Sequence, residues 1–298
     1  QKFIADKYIS RFAGKVKYQK KIISKKNISQ LEITKACEFN INQMNILKKF
    51  SKKNGIDFIC TPFEIDSLNE LIRIKVDAIK ISSCNLTNFP FLYEAAKSKL
   101  PILLSTGMAN FNEVKDAVKI FKRFKNPLLV FQCTSNYPSK ISNANLLVLK
   151  TFKKKFKCPV GFSDHTNSVI PAIVAVSQGA VVIEKHFTLS KKLPGIDQKA
   201  SIEPRELKEL VAAVKDASLS LGEFEKKRSK EENDTAKALR RSLVASNNIR
   251  KKEVLKKSMI SVKRPGTGLG TKYLNKIIGL KLKKNVMKDH IFKIKDFY

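Results

Sequence analysis

The sequence predicts an α/β protein in which a (β/α) barrel of parallel strands is followed by a small β-rich domain. Short runs that are apolar throughout alternate with amphipathic segments of helical period, which is typical of a parallel sheet covered on both faces. No Gly-rich dinucleotide-binding fingerprint follows any of these runs, and this favours a barrel over a doubly wound sheet. After residue 240 the helical period gives way to short β-like pieces with Gly and Pro turns.

The elements follow from these patterns in chain order. Six strands are predicted, at residues 56–61, 77–82, 101–106, 127–134, 158–163 and 180–187. Helical segments follow the first three strands, at residues 64–75, 88–99 and 110–124. Another helix begins at Glu203-Pro204 and ends at Gly222. We therefore predict a barrel domain over residues 1–222, a charged linker over 223–240 and a β-rich domain over 241–298.

The net charge of +33 raises the question of nucleic-acid binding. Of the 59 basic residues, fifty are lysine and nine are arginine, whereas base reading and bidentate phosphate contacts favour arginine. The lysines are also spread along the whole chain and are not gathered on one arm or helix. We interpret the charge as a solvated surface that attracts anionic ligands, and we expect no specific nucleic-acid partner.

Cysteine usage and hydropathy bear on the compartment. The five cysteines show neither CxxC pairs nor disulfide-like spacing, which indicates reduced thiols in a cytoplasmic protein. The longest apolar stretch, residues 169–183, is short and is broken by proline, glycine and polar residues. Such a stretch does not span a bilayer, so we expect no membrane partner.

Polar residues gather where the predicted strands end, and the active site of a parallel barrel lies at the carboxyl ends of its strands. Helix caps can account for some of the hydroxyl residues, but not for a lysine inside a strand or histidines at strand ends. The residues concerned are Thr61, Lys80, Ser83, Ser105, Thr106, Ser135, Ser163, Asp164, His165, Glu184 and His186.

His165 and His186 end two neighbouring predicted strands, and each lies beside a carboxylate. Neutral imidazoles from adjacent strand ends can converge on one divalent metal ion and leave positions open for substrate. Two hydrogen-bonded histidines at a barrel rim would give the same pattern. The residues alone leave both interpretations open.

Lys80 lies inside an apolar strand, where a lysine needs an anionic partner or a chemical role unless its amine reaches the rim. Ser83, Ser105 and Thr106 could supply donors to the same phosphate or carboxylate. In the β-rich domain Arg264 precedes a Pro-Gly turn. It is either a solvated arginine or a clamp presented to a neighbouring site.

Taken together, the motifs resemble the sialic acid synthase family, the synthases of N-acetylneuraminate and N,N′-diacetyllegionaminate that use phosphoenolpyruvate (PEP). The resemblance runs nearly end to end and includes a C-terminal part similar to the antifreeze-like SAF domain, a β-clip fold. It rests on CTPFEIDS, KISSCNLTNFP, LLSTGM, CTSNYPS, GFSDHT, EKHFTLSKKLPGIDQKASIEP and RSLVASNNIRKKEVL with VKRPGTGL. It implies a (β/α)8 TIM barrel followed by the SAF domain.

The resemblance also implies the chemistry and the residue roles. PEP condenses with an N-acetylmannosamine-type aldose to give a nonulosonic acid and phosphate, with Mn²⁺ or Mg²⁺ held by His165 and His186. Lys80, Asp164 and Glu184 are the expected catalytic residues. The expected substrate-binding residues are Gln1, Thr61, Ser83, Ser105, Thr106, Ser135, Tyr137, Ser163, Asp197 and Arg264. Arg264 would reach the partner's barrel in a homodimer with exchanged SAF domains.

The chain departs from the family pattern at its start, at residues 83–85 and at PGIDQ (194–198), where P-G-P-D-H is common. The opening strand of the family, E-I-G-x-N-H, has no counterpart, and Gln1 matches a glutamine that follows a phosphate-binding lysine in the family. We therefore expect the barrel to lack its first βα unit and the chain as it stands to be inactive. Ser83-Cys84-Asn85 also replaces the usual S-G-E, so that Asn85 stands where the family has a carboxylate.

Two alternatives stay open within this resemblance. One is a non-catalytic homologue that binds sugar phosphates, which the loss of the carboxylate at Asn85 favours. The other is a pseudaminate synthase, although LTNFP (86–90) and KKLPGIDQ (191–198) favour the neuraminate and legionaminate branch.

Overall fold

A computed structural model describes residues 1–15, 19, 28–195 and 197–298. The chain divides into two compact units, Gln1–Gly222 and Glu223–Tyr298. In the part of the chain that the structure describes, no helix combines the length and the apolar character needed to cross a membrane.

The first unit is built on a parallel sheet whose strands follow one another in chain order. The strands are β1 (Ile59–Cys60), β2 (Ala78–Ile81), β3 (Ile102–Ser105), β4 (Leu128–Cys133), β5 (Val160–Asp164) and β6 (Ala180–Lys185). A parallel bridge joins Lys2 to Pro62 beside β1, and another joins Phe187 to Ile202 beyond β6. This sequential order is that of a (β/α) barrel, and the described sheet spans six of its strands.

Helices alternate with these strands and cover one face of the sheet. Within the described residues they are α1 (Ala5–Tyr8), α2 (Gln30–Lys35), α3 (Ile41–Lys53), α4 (Ile65–Arg73), α5 (Phe89–Lys97), α6 (Phe111–Arg123), α7 (Val148–Phe156), α8 (Ile170–Ser177) and α9 (Pro204–Ser220). Glu64, Asn88 and Asn110 cap α4, α5 and α6 with their side chains. The strand-end serines of the predicted site are therefore not used to cap these helices.

Alternation along the strands separates the core from the site. Ile79, Ile81, Leu104, Val160 and Phe162 belong to the large apolar cluster that the strands form with the helices. Since successive side chains point to opposite faces, the residues between them lie on the other face, which we call the inner face. They include Lys80, Ser105, Phe131, Cys133, Gly161 and Ser163.

Gly161 is a position where the inner face requires glycine. A Cβ atom there would lie 2.7 Å from Cε1 of Phe131 and 2.9 Å from the carbonyl oxygen of Val182. The absence of a side chain lets the Phe131 ring pack against the β5 backbone. Phe131 in turn lies beneath Lys80, whose Nζ is 5.3 Å from the ring centroid.

The second unit has its own core. Strands β7 (Ser242–Ala245) and β8 (Ile260–Lys263) pair antiparallel, and single bridges such as Val244–Ile291 and Leu282–Phe297 extend the pairing. A short helix, α11 (Leu274–Ile277), closes an apolar cluster that includes Leu243, Leu255 and Phe292. The sequence of short strands and turns after residue 240 therefore forms a small β-rich fold, as predicted.

The charged segment 223–240 belongs to this second unit and contains helix α10 (Lys230–Leu239). Ser229 and Glu232 form a capping box at its start, and the Lys237 carbonyl accepts a 2.8 Å hydrogen bond from the Gly266 N–H. The division of the chain falls after Gly222, where the barrel domain is predicted to end. The proposed start of the β-rich domain at residue 241 stays a prediction.

Candidate active site

The sequence-predicted residues of the first unit meet in large part at the carboxyl ends of the strands, on the inner face. Lys80 is buried there, and its Nζ lies 2.5 Å from Ser105 Oγ on the neighbouring strand. The Glu184 carboxylate lies 3.5 Å from Nζ. Glu184 is 40% exposed, so the charge of Lys80 is only loosely balanced by the protein.

Further hydroxyl and amide groups lie at the same end of the sheet as this lysine. The Gly107 N–H donates to Ser83 Oγ over 2.9 Å, and a Cβ on Gly107 would overlap both Ser83 Oγ and Ser135 Oγ. Ser83, Gly107 and Ser135 therefore meet after the carboxyl ends of β2, β3 and β4, and Ser105 at the end of β3 contacts Lys80. We call these five residues the anion pocket, because a lone ammonium group with hydroxyl and amide donors suits a phosphate or carboxylate.

His165 follows β5 and is held in one tautomer. Its Nδ1 lies 2.8 Å from the Thr134 carbonyl oxygen, which can only accept a hydrogen bond, so Nδ1 carries the proton. The Nε2 lone pair faces Ser163 Oγ at 3.4 Å, a long contact. Burial lowers the pKa of His165, although the hydrogen bond to Thr134 acts in the opposite direction. The ring is therefore neutral at pH 7 and can bind a cation.

His186 follows β6 and faces His165, with 5.3 Å between the two ring centroids. Burial lowers its pKa, and Asp197, whose carboxylate lies 3.9 Å from Nδ1, acts in the opposite direction. The ring of Tyr137 packs against both histidines, at 4.2 Å from His165 and 5.4 Å from His186. The two imidazoles, which we call the histidine pair, thus form one cluster with the Tyr137 ring.

This arrangement fits a divalent metal in part. Two neutral imidazoles supply two nitrogen donors, and the fixed tautomer of His165 presents Nε2. Over the described ranges no group of three or more His, Cys, Asp or Glu side chains is arranged to hold a metal ion. The protein would therefore provide two ligands and leave the remaining positions to water or substrate.

Asp164, predicted to be catalytic, lies on the other face of the sheet. Its Oδ2 is 2.8 Å from Lys185 Nζ, and its Oδ1 accepts a 2.8 Å hydrogen bond from the Thr166 N–H. The carboxylate is fully buried and both oxygens are engaged. This geometry favours a structural role over proton transfer, because the carboxylate does not share the inner face with the histidine pair.

The other predicted residues lie at the edges of this site or away from it. The Thr106 hydroxyl donates to the Phe131 carbonyl over 2.8 Å, so this group is engaged within the sheet. Gln1 and Thr61 lie on neighbouring segments, since the Lys2 N–H donates to the Thr61 carbonyl over 2.9 Å. Arg264 lies in the second unit, in a turn whose Pro265 carbonyl accepts a 2.6 Å bond from Ser242 Oγ.

Asn85 is buried and is not directed at the anion pocket. Its Nδ2 donates to the Phe63 carbonyl over 3.2 Å, and its Oδ1 accepts a 3.3 Å bond from Asn88 Nδ2. The residue that departs from the family pattern therefore ties two loops together in this chain.

Sequence reasoning assigned no hydrogen bond to the Gly107 amide or the Thr134 carbonyl, and it missed Lys185. Backbone groups carry no side-chain signal, and these two became visible only from the way the loops fold. Lys185 did have a signal, because Asp164 and Lys185 each precede a strand-end histidine and must share the opposite face.

Comparison with known proteins agrees with the fold. The profile of the NeuB family matches residues 1–226, and that of the SAF domain matches residues 240–297. The fold is thus a NeuB-type TIM barrel followed by a SAF domain, as predicted. The chain belongs to the NeuB family, that of the sialic acid synthases.

Three relatives illustrate this membership. An N,N′-diacetyllegionaminic acid synthase of Legionella pneumophila is 36% identical over 291 residues, which are 96% of this chain and 82% of that protein. A pseudaminic acid synthase of Campylobacter jejuni is 36% identical over 252 residues, 83% of this chain and 72% of that protein. The crystal structure of an N-acetylneuraminic acid synthetase from Leptospira borgpetersenii in complex with citrate has a TM-score of 0.67 and 36% identity, covering 73% of this chain and 76% of that one.

Proposed function

We propose that this chain carries the active site of a nonulosonic acid synthase that condenses PEP with an N-acetylmannosamine-type aldose. The observation that supports the proposal most directly is the position of Glu184. Its carboxylate is 3.5 Å from Lys80 in the anion pocket, and it lies two residues before His186 on the same face of β6. An anion pocket and a pair of neutral imidazoles therefore share one end of the sheet.

In this proposal the anion pocket binds PEP. Lys80 supplies the positive charge, and the hydroxyl groups of Ser83 and Ser105 supply hydrogen-bond donors to the phosphate or carboxylate, while the Gly107 amide holds Ser83 in place. Thr61, which follows β1, and Gln1, on the segment bridged to it, are the proposed further contacts to PEP. A fixed set of donors in a buried site needs little reorganisation when the anion arrives.

The histidine pair would hold the divalent metal, Mn²⁺ or Mg²⁺, through His165 Nε2 and one ring nitrogen of His186. When bound, such an ion supplies Lewis acidity to the aldehyde of the sugar. Tyr137, Ser163 and Asp197 border this pair, and Ser135 lies beside Gly107 in the anion pocket. These four residues are the proposed contacts to the open-chain aldose. Their position beside the anion pocket would bring both substrates to near-attack distance.

The proposed reaction joins PEP C3 to the aldehyde carbon, water then adds to PEP C2, and the C2–O bond to phosphate breaks. PEP, aldose and one water thereby give the nonulosonic acid and inorganic phosphate. We assign Glu184 the transfer of the proton from water, because its carboxylate is partly exposed on the inner face and adjoins both halves of the site. Asp164 instead has both carboxylate oxygens engaged on the other face.

The share of this chain that each relative matches supports the legionaminate branch. The legionaminic acid synthase matches 96% of this chain, whereas the pseudaminic acid synthase at the same identity matches 83%. We further propose a cytoplasmic homodimer in which Arg264 of the SAF domain serves the partner's barrel. This part of the proposal rests on the family resemblance alone.

The test uses the complete gene product, expressed from the start codon of the open reading frame that encodes this chain. Phosphate release from PEP is measured with N-acetylmannosamine, its 6-phosphate, the diacetamido-trideoxy aldose of the legionaminate type and that of the pseudaminate type. We expect release with one of the first three sugars only, loss of release with EDTA, and recovery with Mn²⁺ or Mg²⁺. Mass spectrometry then identifies the nine-carbon acid.

The alternatives give different results in the same assay. Release only with the pseudaminate-type aldose would identify the other branch. Binding of PEP in calorimetry without phosphate release from any aldose would identify a non-catalytic sugar-phosphate binder. Neither outcome is compatible with the proposal as stated.

A further inference from the structure

A buried ion pair joins the two strands that carry the histidines. Asp164 ends β5 and Lys185 ends β6, and the two residues are direct partners in the register of the parallel sheet. Lys185 Nζ lies 2.8 Å from Asp164 Oδ2, with side-chain exposures of 5% and 0%. His165 and His186 are the next residues along each strand. The pair therefore crosses between the strands one residue before the histidine pair.

The same two side chains also hold the loop that follows His165. The Thr166 N–H donates to Asp164 Oδ1 over 2.8 Å, and Lys185 Nζ donates to the Thr166 carbonyl. His165 thus lies between Asp164 and a neighbour whose amide and carbonyl are both held. The His165 carbonyl accepts a further 2.8 Å bond from the Ser139 N–H, which leaves its backbone little freedom.

The ion pair stands where apolar residues would stabilise the fold at least as well. The preceding residues on that face of β5, Val160 and Phe162, are buried in the apolar core. Replacing a buried ion pair by well-packed apolar residues is often neutral or stabilising, so burial alone does not explain the presence of charges here. What the charged pair adds is directional bonding: it fixes two strand ends and one loop relative to each other.

We propose that the Asp164–Lys185 ion pair is a positioning device that sets the separation and orientation of the His165 and His186 rings. Neither side chain lies on the inner face, so both act through the histidines and do not contact substrate. The inference rests on the proposed function only in so far as the two rings bind a metal. The ring geometry itself is testable without metal, substrate or turnover.

The experiment compares D164N with E70Q as a matched control. Glu70 is the partner of Lys2, another buried lysine, with 3.0 Å between Oε2 and Nζ, so E70Q also removes the carboxylate of a buried lysine. Both variants of the complete gene product are labelled with ¹⁵N-histidine, and the imidazole nitrogens are observed by NMR without metal. The signals of His165, His186 and His290 are identified with single His→Gln variants, and His290 in the second unit serves as the internal reference.

We expect D164N to shift the ring signals of His165 and His186 and to leave His290 in place, whereas E70Q shifts none of them. The affinity for Mn²⁺, measured by titration, should fall by about 10- to 100-fold in D164N and stay at the wild-type value in E70Q. K185R keeps the charge but changes the donor geometry, and it should shift the same two rings less. If D164N does not fold, the histidine signals and the Mn²⁺ affinity of K185R test the proposal instead.

A D164N protein that melts at a lower temperature but keeps wild-type histidine signals would show that the pair only stabilises the fold, and would overturn the proposal. Unchanged Mn²⁺ affinity in D164N would overturn it as well. If the wild-type protein binds no Mn²⁺, the metal part of the proposed function fails. The metal-free histidine spectra would then decide the positioning role alone.

Discussion

Two buried lysines on the two faces of one sheet differ in how their charges are satisfied. Lys185 has a fully buried carboxylate at 2.8 Å and a backbone carbonyl as partners. Lys80 has a hydroxyl at 2.5 Å, the Ile81 carbonyl at 3.4 Å, an aromatic ring below it, and a partly exposed carboxylate at 3.5 Å. The first ammonium group is neutralised by the protein, and the second is neutralised only loosely.

The difference indicates which lysine binds a ligand. A buried charge is stable only when paired and hydrogen-bonded, so an incompletely paired one favours the binding of an anion. The outer-face lysine is already satisfied, and its role is to hold strand ends together. The predictions that follow separate these two roles, and they are made for the complete gene product.

The largest expected effect is that of K80M on turnover. Removing the only lysine of the anion pocket should lower phosphate release by about 10³-fold, the scale seen when a preorganised charge-stabilising group is lost. Thermal melting should change little, because the carboxylate of Glu184 is partly exposed to water and does not depend on Lys80 for solvation. K99M is the control, since Lys99 also lies over a phenylalanine ring, 5.2 Å from the Phe124 centroid, but on the surface. Equal losses in both variants would contradict the assignment of Lys80.

K185M, in contrast to K80M, should mainly lower the stability of the fold. It leaves the Asp164 carboxylate buried without its partner, which should lower the free energy of unfolding by about 3 kcal/mol in urea titrations. K191M removes a half-exposed pair with Glu206 and should cost less than about 1 kcal/mol. If K185M were as stable as K191M, the Asp164–Lys185 pair would not be the anchor described above.

G161A tests the packing that supports Lys80 from below. The added methyl group meets Phe131 at 2.7 Å, so the ring must move, and we expect a loss of about 2 kcal/mol in stability. The affinity for PEP in calorimetry should weaken as well, because Phe131 supports Lys80. G270A is the control, since nothing lies within 4 Å of a Cβ there and the φ angle is −70°. If G161A were destabilised but bound PEP with wild-type affinity, the Phe131 ring would not be needed to support Lys80 in the anion pocket.

The smallest expected effect is a pH dependence that arises from His165. Burial lowers its pKa in the folded state, so below about pH 6.5 the unfolded chain takes up a proton that the folded chain resists. Stability that is fully present above that pH is therefore lost as the pH falls towards the folded pKa. Between pH 7.5 and 5.5, H165Q should lose about 1 kcal/mol less than the wild-type protein in urea titrations. Parallel curves for the two proteins would exclude this contribution.

The strands that carry the site were predictable because their signal is local. Lys80 and Ser105 interrupt apolar runs, and His165 and His186 end such runs, so strand alternation and the barrel rule assign them to one end of one sheet. The positions of Asp164 and Glu184 were harder to predict. Both are carboxylates at strand ends, and they differ only in the face of the sheet to which their position along the strand assigns them. Asp164 lies on the outer face in the buried ion pair, and Glu184 lies on the inner face.

The sequence by itself determined the order of strands and helices, the family and the residue types at the carboxyl ends of the strands. These features follow from periodicity and from motifs that are contiguous in the chain. Tertiary structure alone decided that Ser83, Gly107 and Ser135 meet one another, and that Thr134 fixes the tautomer of His165. Such contacts depend on the paths of loops that are distant in sequence, and no local pattern encodes the distance between them.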